Sequence, residues 1–266
     1  MPDISEYKQR IVADFNSRTN YENEWRYRFA NRLVELARLQ KGQKVLDIAT
    51  GTGIVAIASA KIVGSGGKVV GVDISSGMLQ QAQTKIDAEG LQNIELIEAD
   101  ADYLNFADDS FDAILCSSAI GYLTDIPAAL RSWYRFLQAG GIVAFSCFAE
   151  TAMTISVLYR AKLQDYAITA SNPNEILGTP EKCLEMVQKA GFKDIEIKTE
   201  QFGFYLNEAE SAWQGNSNSA CGYEVFQLPP EKLAQLKAEY IRELEALATD
   251  KGIWNDGTAF FVVAKK

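Results

Sequence analysis

An alternation of short apolar strands with helices, sustained from Lys44 to Phe148, constrains this chain more than any other feature. Lys44-Val45-Leu46-Asp47-Ile48-Ala49 reads as a strand, Thr50-Gly51-Thr52-Gly53 as a tight turn, and residues 54–63 as an alanine-rich helix. The pattern then predicts a strand at 68–72, a helix from Ser75 or Ser76 to about Glu89 closed by Gly90, and strands at 94–98 and 111–117. A helix opening near Asp125 and Pro127 and stopping at Gly140-Gly141 leads into a strand at 142–148. Ahead of all this, Trp25, Phe29, Leu33 and Leu36 recur at helical spacing within residues 22–39, with Gly42 as the stop. Strands that alternate with helices lie parallel and are joined by right-handed crossovers, so the expected fold is a doubly wound α/β sheet.

After Phe148 the rhythm breaks. Residues 149–178 hold a helix at 155–166 and then the irregular Ser171-Asn172-Pro173-Asn174 stretch. A helix capped by Thr179 and Pro180 and ending at Gly191 resumes the pattern, and Ile195-Glu196-Ile197-Lys198-Thr199-Glu200 alternates as an edge strand should. The last run, 259–264, is apolar on both faces and is expected between that edge and the rest of the sheet. Between these two strands lie more than fifty residues, including Trp213 and a helix begun by Pro230 with Leu233, Leu236, Tyr240, Leu244 and Leu247 on one face. Both insertions are read as a helical cap over the carboxyl ends of the strands, where open α/β sheets bind ligands. The expected division is 1–40 as a helical segment closing over the site, 41–148 as the binding core, and 149–178 as cap. Residues 179–202 then supply a core helix and edge strand, 203–257 more cap, and 258–266 the last strand.

Composition narrows the function. The net charge of −9 and the absence of any Lys/Arg run argue against a phosphate backbone or an anionic membrane surface as partner. Cys116, Cys147, Cys183 and Cys221 are widely spaced, and the chain has no histidine, so neither a zinc set nor any imidazole metal site is expected. The missing histidine also removes the commonest general base and every Ser-His or Cys-His nucleophile pair. Met1-Pro2-Asp3-Ile4-Ser5-Glu6 has neither a basic region nor an apolar stretch, and no window reaches the length of a membrane span, which points to the cytoplasm.

Gly51-Thr52-Gly53-Ile54-Val55-Ala56 fits the Gly-x-Gly-x-x-Gly/Ala fingerprint, and Asp73 ends the second strand twenty residues beyond Gly53. Glycines there let the backbone approach a nucleoside ligand, and a carboxylate at that strand end can accept both ribose hydroxyls. Asp47, at the end of the first strand, separates the candidate cofactors. An acid beside the turn works against a dinucleotide's pyrophosphate and favours a cation, and S-adenosylmethionine carries a sulfonium and an ammonium. The competing reading of Asp47 is a strand-end acid that only accepts backbone hydrogen bonds.

In combination these segments resemble the class I S-adenosylmethionine-dependent methyltransferases, most closely the branch with the quinone-biosynthesis and many natural-product enzymes. The resemblance covers residues 21–148 and the last strand. Val45 to Gly53 resembles the family's first motif, with Ala49 in place of the commoner first glycine, and Val70-Gly71-Val72-Asp73-Ile74-Ser75 with Met78-Leu79 resembles the second. The likeness implies a seven-stranded, mostly parallel sheet and S-adenosylmethionine as cofactor. It implies Asp47, Ala49, Thr50, Gly51 and Gly53 around the methionine end, Asp73 on the ribose, and Ile74 and Met78 against the adenosine. Glu98-Ala99-Asp100-Ala101-Asp102 resembles the Gly-Asp-Ala segment, implying Asp100 at the adenine amino group and Ala101 nearby. Phe111 to Ser117 resembles the fourth-strand motif, implying Ser117 on the methionine side, and Tyr134 to Gly141 resembles the turn that follows, with Gln138-Ala139 departing from lysine-proline. Tyr21 resembles the family's N-terminal tyrosine that helps close over the cofactor.

Where many relatives have a histidine pair, this chain has Ile120-Gly121-Tyr122-Leu123. Displacement at a sulfonium needs alignment and exclusion of water more than a base, so methyl transfer without histidine is expected. Tyr122 is the first catalytic candidate, with Tyr166, Asp165 and Glu150 behind it. Phe148, Tyr159, Tyr166 and Trp213 are candidate walls for a small hydrophobic or aromatic acceptor, with packing between cap and sheet as the alternative. Two other functions stay open at this level: an NAD(P)-linked oxidoreductase on a similar fingerprint, and a protein that binds S-adenosylmethionine without methylating. The atom methylated, the acceptor and the oligomeric state carry no motif.

Overall fold

The computed structural model describes residues 5–19 and 21–266. The expectations for Met1 to Ile4 lie outside the described residues. Two helices, α1 (Glu6–Ser17) and α2 (Glu24–Ala37), precede β1 (Lys44–Ile48), α3 (Ile54–Val63), β2 (Lys68–Asp73), α4 (Ser76–Ala88) and β3 (Ile94–Glu98). Then follow β4 (Phe111–Ser117), α5 (Ile126–Phe136), β5 (Leu137–Phe148), α6 (Thr154–Asp165), α7 (Pro180–Lys189) and β6 (Lys193–Gln201). The chain ends with β7 (Phe204–Leu206), α8 (Ala209–Ser217), α9 (Pro230–Glu245), β8 (Ala248–Thr249), β9 (Gly252–Asn255) and β10 (Thr258–Lys265).

The main sheet has seven strands in the order β3-β2-β1-β4-β5-β10-β6, parallel except for β10, which runs antiparallel to both neighbours. The alternating strand and the doubly apolar strand therefore take the places their patterns call for, β6 at the edge and β10 inside it. The order reverses between β1 and β4, which opens the crevice beyond their carboxyl ends. Local chemistry sets the helix starts. Ser75, Asp125 and Thr179 each accept a hydrogen bond from the backbone N–H three residues on, and Pro127 and Pro180 sit in the first turns.

Parity along β1 sorts the core. Leu46 and Ile48 pack on one face with Leu130, Trp133 and Phe136 of α5 and Cys183 and Val187 of α7. Val45 packs on the other with Phe29 and Leu33 of α2 and Val55, Ala56 and Ala60 of α3. Burying an aliphatic side chain of this kind contributes roughly 1.5–3 kcal/mol, so these two layers hold β1, and with it the turn at its end.

Three details differ from expectation; α1 lies within the 1–40 segment expected to be helical. The helix α5 stops at Phe136, and β5 runs from Leu137 through Gly140-Gly141 without waiting for Ile142. The cap is not wholly helical: β7, β9 and β8 form a three-stranded antiparallel sheet, built from runs too short to show a period. Leu247 lies past the end of α9 and is exposed, while Leu236, Tyr240 and Leu244 are buried in a cap core with Tyr159, Leu163 and Ile253. No helix among the described residues is long and apolar enough to cross a membrane.

Candidate active site

Three cavities meet at the carboxyl ends of β1 and β4. The first, about 90 Å³, is lined by Asp73, Ile74, Met78, Asp100, Ala101 and Leu123, with Lys8, Ile11 and Phe15 of α1 across from them. The second, about 70 Å³, is lined by Asp47, Thr50, Thr52, Trp25, Arg26 and Phe29. Tyr21, Ala49, Gly51, Ser117 and Ser118 line both, so the two are lobes of one cleft. The third, about 230 Å³, lies between core and cap, with Ser146 and Phe148 on one side and Met153, Tyr159, Arg160 and Asn174 among its cap residues. Ser118 and Tyr122 line both the first and the third.

The turn after β1 is built for close approach. Gly51 has φ 56° with nothing within 4 Å of where a Cβ would stand, and Ala49 holds φ 53°, a left-handed conformation that a side chain disfavours. Gly53, also expected at the cofactor, lines none of these cavities. Its φ is 82°, and an added Cβ would stand 3.1 Å from Ala82 Cβ, so its role is packing α3 against α4.

Asp47 is 1% exposed, and the Thr50 hydroxyl donates to its carboxylate at 2.5 Å. Burial pushes its carboxyl up to about 7, the Asp73 charge adds to the rise, and Thr50 and the Ala56 backbone only partly oppose it. Among the described residues no cation pairs with this buried acid. Arg26 lines the same lobe, its guanidinium 3.8 Å from the centroid of the Tyr21 ring and its Nε buried without a hydrogen-bond partner. One carboxylate and one guanidinium in a single lobe suit a zwitterionic amino-acid end, which S-adenosylmethionine has and a dinucleotide lacks.

In the first lobe the Asp73 carboxylate accepts from the Gly51 and Ser75 backbone N–H groups, both at 2.8 Å. Burial raises its carboxyl above the ordinary value against those bonds. Lys8, 6% exposed, pairs with Asp100 at 3.0 Å and with Asp102 at 2.6 Å. Asn16 accepts from the Ser75 hydroxyl at 2.7 Å, and Asp14 accepts from the Ala220 backbone N–H at 3.1 Å, so α1 straps the cleft to both core and cap. The 1–40 segment is expected to be helical and to close over the site, but sequence reasoning does not single out Lys8, Ile11 and Phe15, which share one face of α1, nor Arg26 and Ser118. Ser118 has φ 55°, and its hydroxyl is buried with no hydrogen-bond partner, a feature that only coordinates reveal.

Tyr122 stands where cleft and third cavity join, edge-on to Phe15 at 5.9 Å. Burial drives its phenol well above the ordinary value, so it is protonated at neutral pH and can donate a hydrogen bond but not take up a proton. Of the four expected acceptor walls, Phe148 and Tyr159 line the third cavity. Trp213 and Tyr166 do not: Trp213 packs at 5.6 Å from Tyr159 and 5.8 Å from Tyr240 in the cap core, and Tyr166 lies against that core. Glu150 and Asp165 are not brought to the site either, being paired with Lys182 and Lys162.

Comparison with known proteins agrees with this geometry. The chain is 32% identical over 216 residues, 75% of its length, to the demethylmenaquinone methyltransferase of Geobacillus stearothermophilus, of which it covers 89%. Its fold matches that of the YcgJ protein of Bacillus subtilis at a TM-score of 0.64 and 18% identity, over 90% of this chain and 98% of that one. It also matches phosphoethanolamine N-methyltransferase 2 of Haemonchus contortus, solved with S-adenosyl-L-methionine, at 0.58 and 20% identity, over 99% of this chain and 60% of that one. The model of the ubiE/COQ5 methyltransferase family matches residues 17–171, more than half of the chain, which therefore belongs to that family and is an S-adenosylmethionine-dependent methyltransferase.

Proposed function

We propose that the two-lobed cleft holds S-adenosylmethionine and that the third cavity holds a small aromatic acceptor, methylated across the junction formed by Ser118 and Tyr122. The observation that carries this reading is that junction: the same two residues line the cofactor cleft and the cavity between core and cap. Membership of a methyltransferase family removes the oxidoreductase alternative. The Geobacillus relative is named for demethylmenaquinone, and the aromatic walls Phe148 and Tyr159 suit an acceptor of comparable ring character.

When bound, the cofactor would supply a methyl group activated by its sulfonium, for transfer to an electron pair of the acceptor with the neutral thioether of S-adenosylhomocysteine as leaving group. In this reading Asp47 and Arg26 hold the amino and carboxyl groups of the methionine end, with Thr50 and Ser117 beside them. Asp73 accepts from the ribose, and Ile74, Met78 and Ala101 sandwich the adenine near Asp100. Tyr21 and α1 cover the cleft and exclude water, which is the larger part of what a protein contributes to such a displacement. Tyr122 donates to the acceptor and fixes its orientation, and the acceptor's own proton leaves to solvent, since the chain has no histidine to receive it. The division into core and cap follows: both insertions, 149–178 and 203–257, contribute cavity walls. Incubation with methyl-labelled S-adenosylmethionine and a panel of phenols and hydroquinones, each with and without a ring carboxylate, tests the reading. Label transfer with matching S-adenosylhomocysteine release is expected, and cofactor binding without transfer to any member would contradict it.

A further inference from the structure

The third cavity contains a charge that the protein itself does not use. Arg160, on α6, lines it, and among the described residues the guanidinium has no ion pair and no hydrogen bond. Burial pushes that guanidinium below its ordinary value, and the charges of Cys221 and Glu175 oppose the effect only in part. A partly buried cation with no anion in contact is costly, and a ligand that brings one into contact offsets the cost. No aspartate or glutamate lines the cavity, in a chain whose net charge is −9. Two further donors there are also unengaged among the described residues, the side-chain amide of Asn174 and the buried hydroxyl of Ser118. A cavity built for a neutral apolar ring would gain nothing from these groups.

We propose that the acceptor is an anion, an aromatic molecule bearing a carboxylate, and that Arg160 is the residue that selects it. The proposal rests on reading the third cavity as the acceptor site. The planar guanidinium presents paired N–H donors that match a carboxylate's two oxygens, and Asn174 can supply another donor to the same group. Phe148 and Tyr159 then take the ring, and the cavity discriminates by charge first and by shape second.

The test uses a set of aromatic carboxylates, each matched with its primary amide, screened by ligand-observed NMR against the full chain loaded with S-adenosylhomocysteine. Binders are expected among the carboxylates, each about tenfold or more tighter than its amide, the effect of one charge-assisted pair. That preference should vanish in Arg160→Gln and return in part in Arg160→Lys, with S-adenosylhomocysteine affinity by calorimetry the same in all three proteins. Equal binding of acids and amides, a preference that survives Arg160→Gln, or no binder among the carboxylates would overturn the proposal. Failure of the unmutated chain to bind S-adenosylhomocysteine is a separate result, and it would remove the cofactor-site reading itself.

Discussion

The Lys8 ammonium sits 2.6 Å from the Asp102 carboxylate and joins α1 to the floor of the cofactor cleft. Burial alone would raise the Asp102 carboxyl, and Lys8 and Thr124 more than offset it, so the group is held below its ordinary value. An acid lowered in this way adds stability above its unfolded value and loses it as pH falls through the folded one. Lys8→Met leaves two carboxylates facing each other without their cation. It is expected to cost about 2–4 kcal/mol at pH 7 and less near pH 3, read by urea unfolding at both pH values. An equal cost at both would mean that Lys8 acts through packing rather than charge.

Tyr122→Phe separates donation from proton abstraction. A phenol raised by burial cannot serve as a base near neutrality, so the variant should keep kcat within about tenfold of the parent, the loss of one neutral hydrogen bond. Its pH–rate profile between 6 and 9 should be unchanged. A loss of several hundredfold, or a missing limb in that profile, would restore the base assignment.

The placing of Trp213 in the cap core makes a prediction about acceptor kinetics. Trp213→Ala removes a large ring packed on Tyr159 and Tyr240 and should destabilise by about 3–5 kcal/mol. Trp213→Phe keeps a ring there and should leave the acceptor KM within about twofold, because Trp213 does not line the cavity, though the smaller ring leaves a gap in the cap core. A large rise in KM with unchanged melting temperature in that variant would bring Trp213 back to the pocket wall.

Much of this molecule is legible in its sequence because parity and capping are local. Val45 and Leu46 point to opposite layers, Ser75, Asp125 and Thr179 cap where their neighbours call for a helix, and Asp73 follows Gly53 at the spacing of one strand-turn-helix unit. What stays hidden depends on chain returning from far away. Lys8 meets Asp100 and Asp102, which lie more than ninety residues on, and no pattern in residues 6–17 announces that pair. Phe148, at the end of a core strand, and Trp213, in the second insertion, are both aromatic candidates in the sequence, and only the packing of α6, α8 and α9 decides that Trp213 enters the cap core while Phe148 faces the cavity. Arg160 reads as an ordinary surface charge until its cavity is seen to hold no acid.

In the proposed site the buried Asp47 carboxylate binds the cationic end of S-adenosylmethionine. Its carboxyl is raised to about 7 in the protein without ligand, so stability falls as pH climbs from about 4 to about 7 and levels off above that, while a bound cation favours the ionised form. The measurement is calorimetric titration with S-adenosylmethionine at pH 6 and pH 8, in buffers of different ionisation enthalpy, on the unmutated chain and on Asp47→Asn. The account predicts about tenfold tighter binding at pH 8 with proton release near pH 7. In Asp47→Asn it predicts weak, pH-independent binding in a chain more stable at pH 8 than its parent. Equal affinity in the two proteins, with no proton released, would contradict it and reduce Asp47 to the end of a strand.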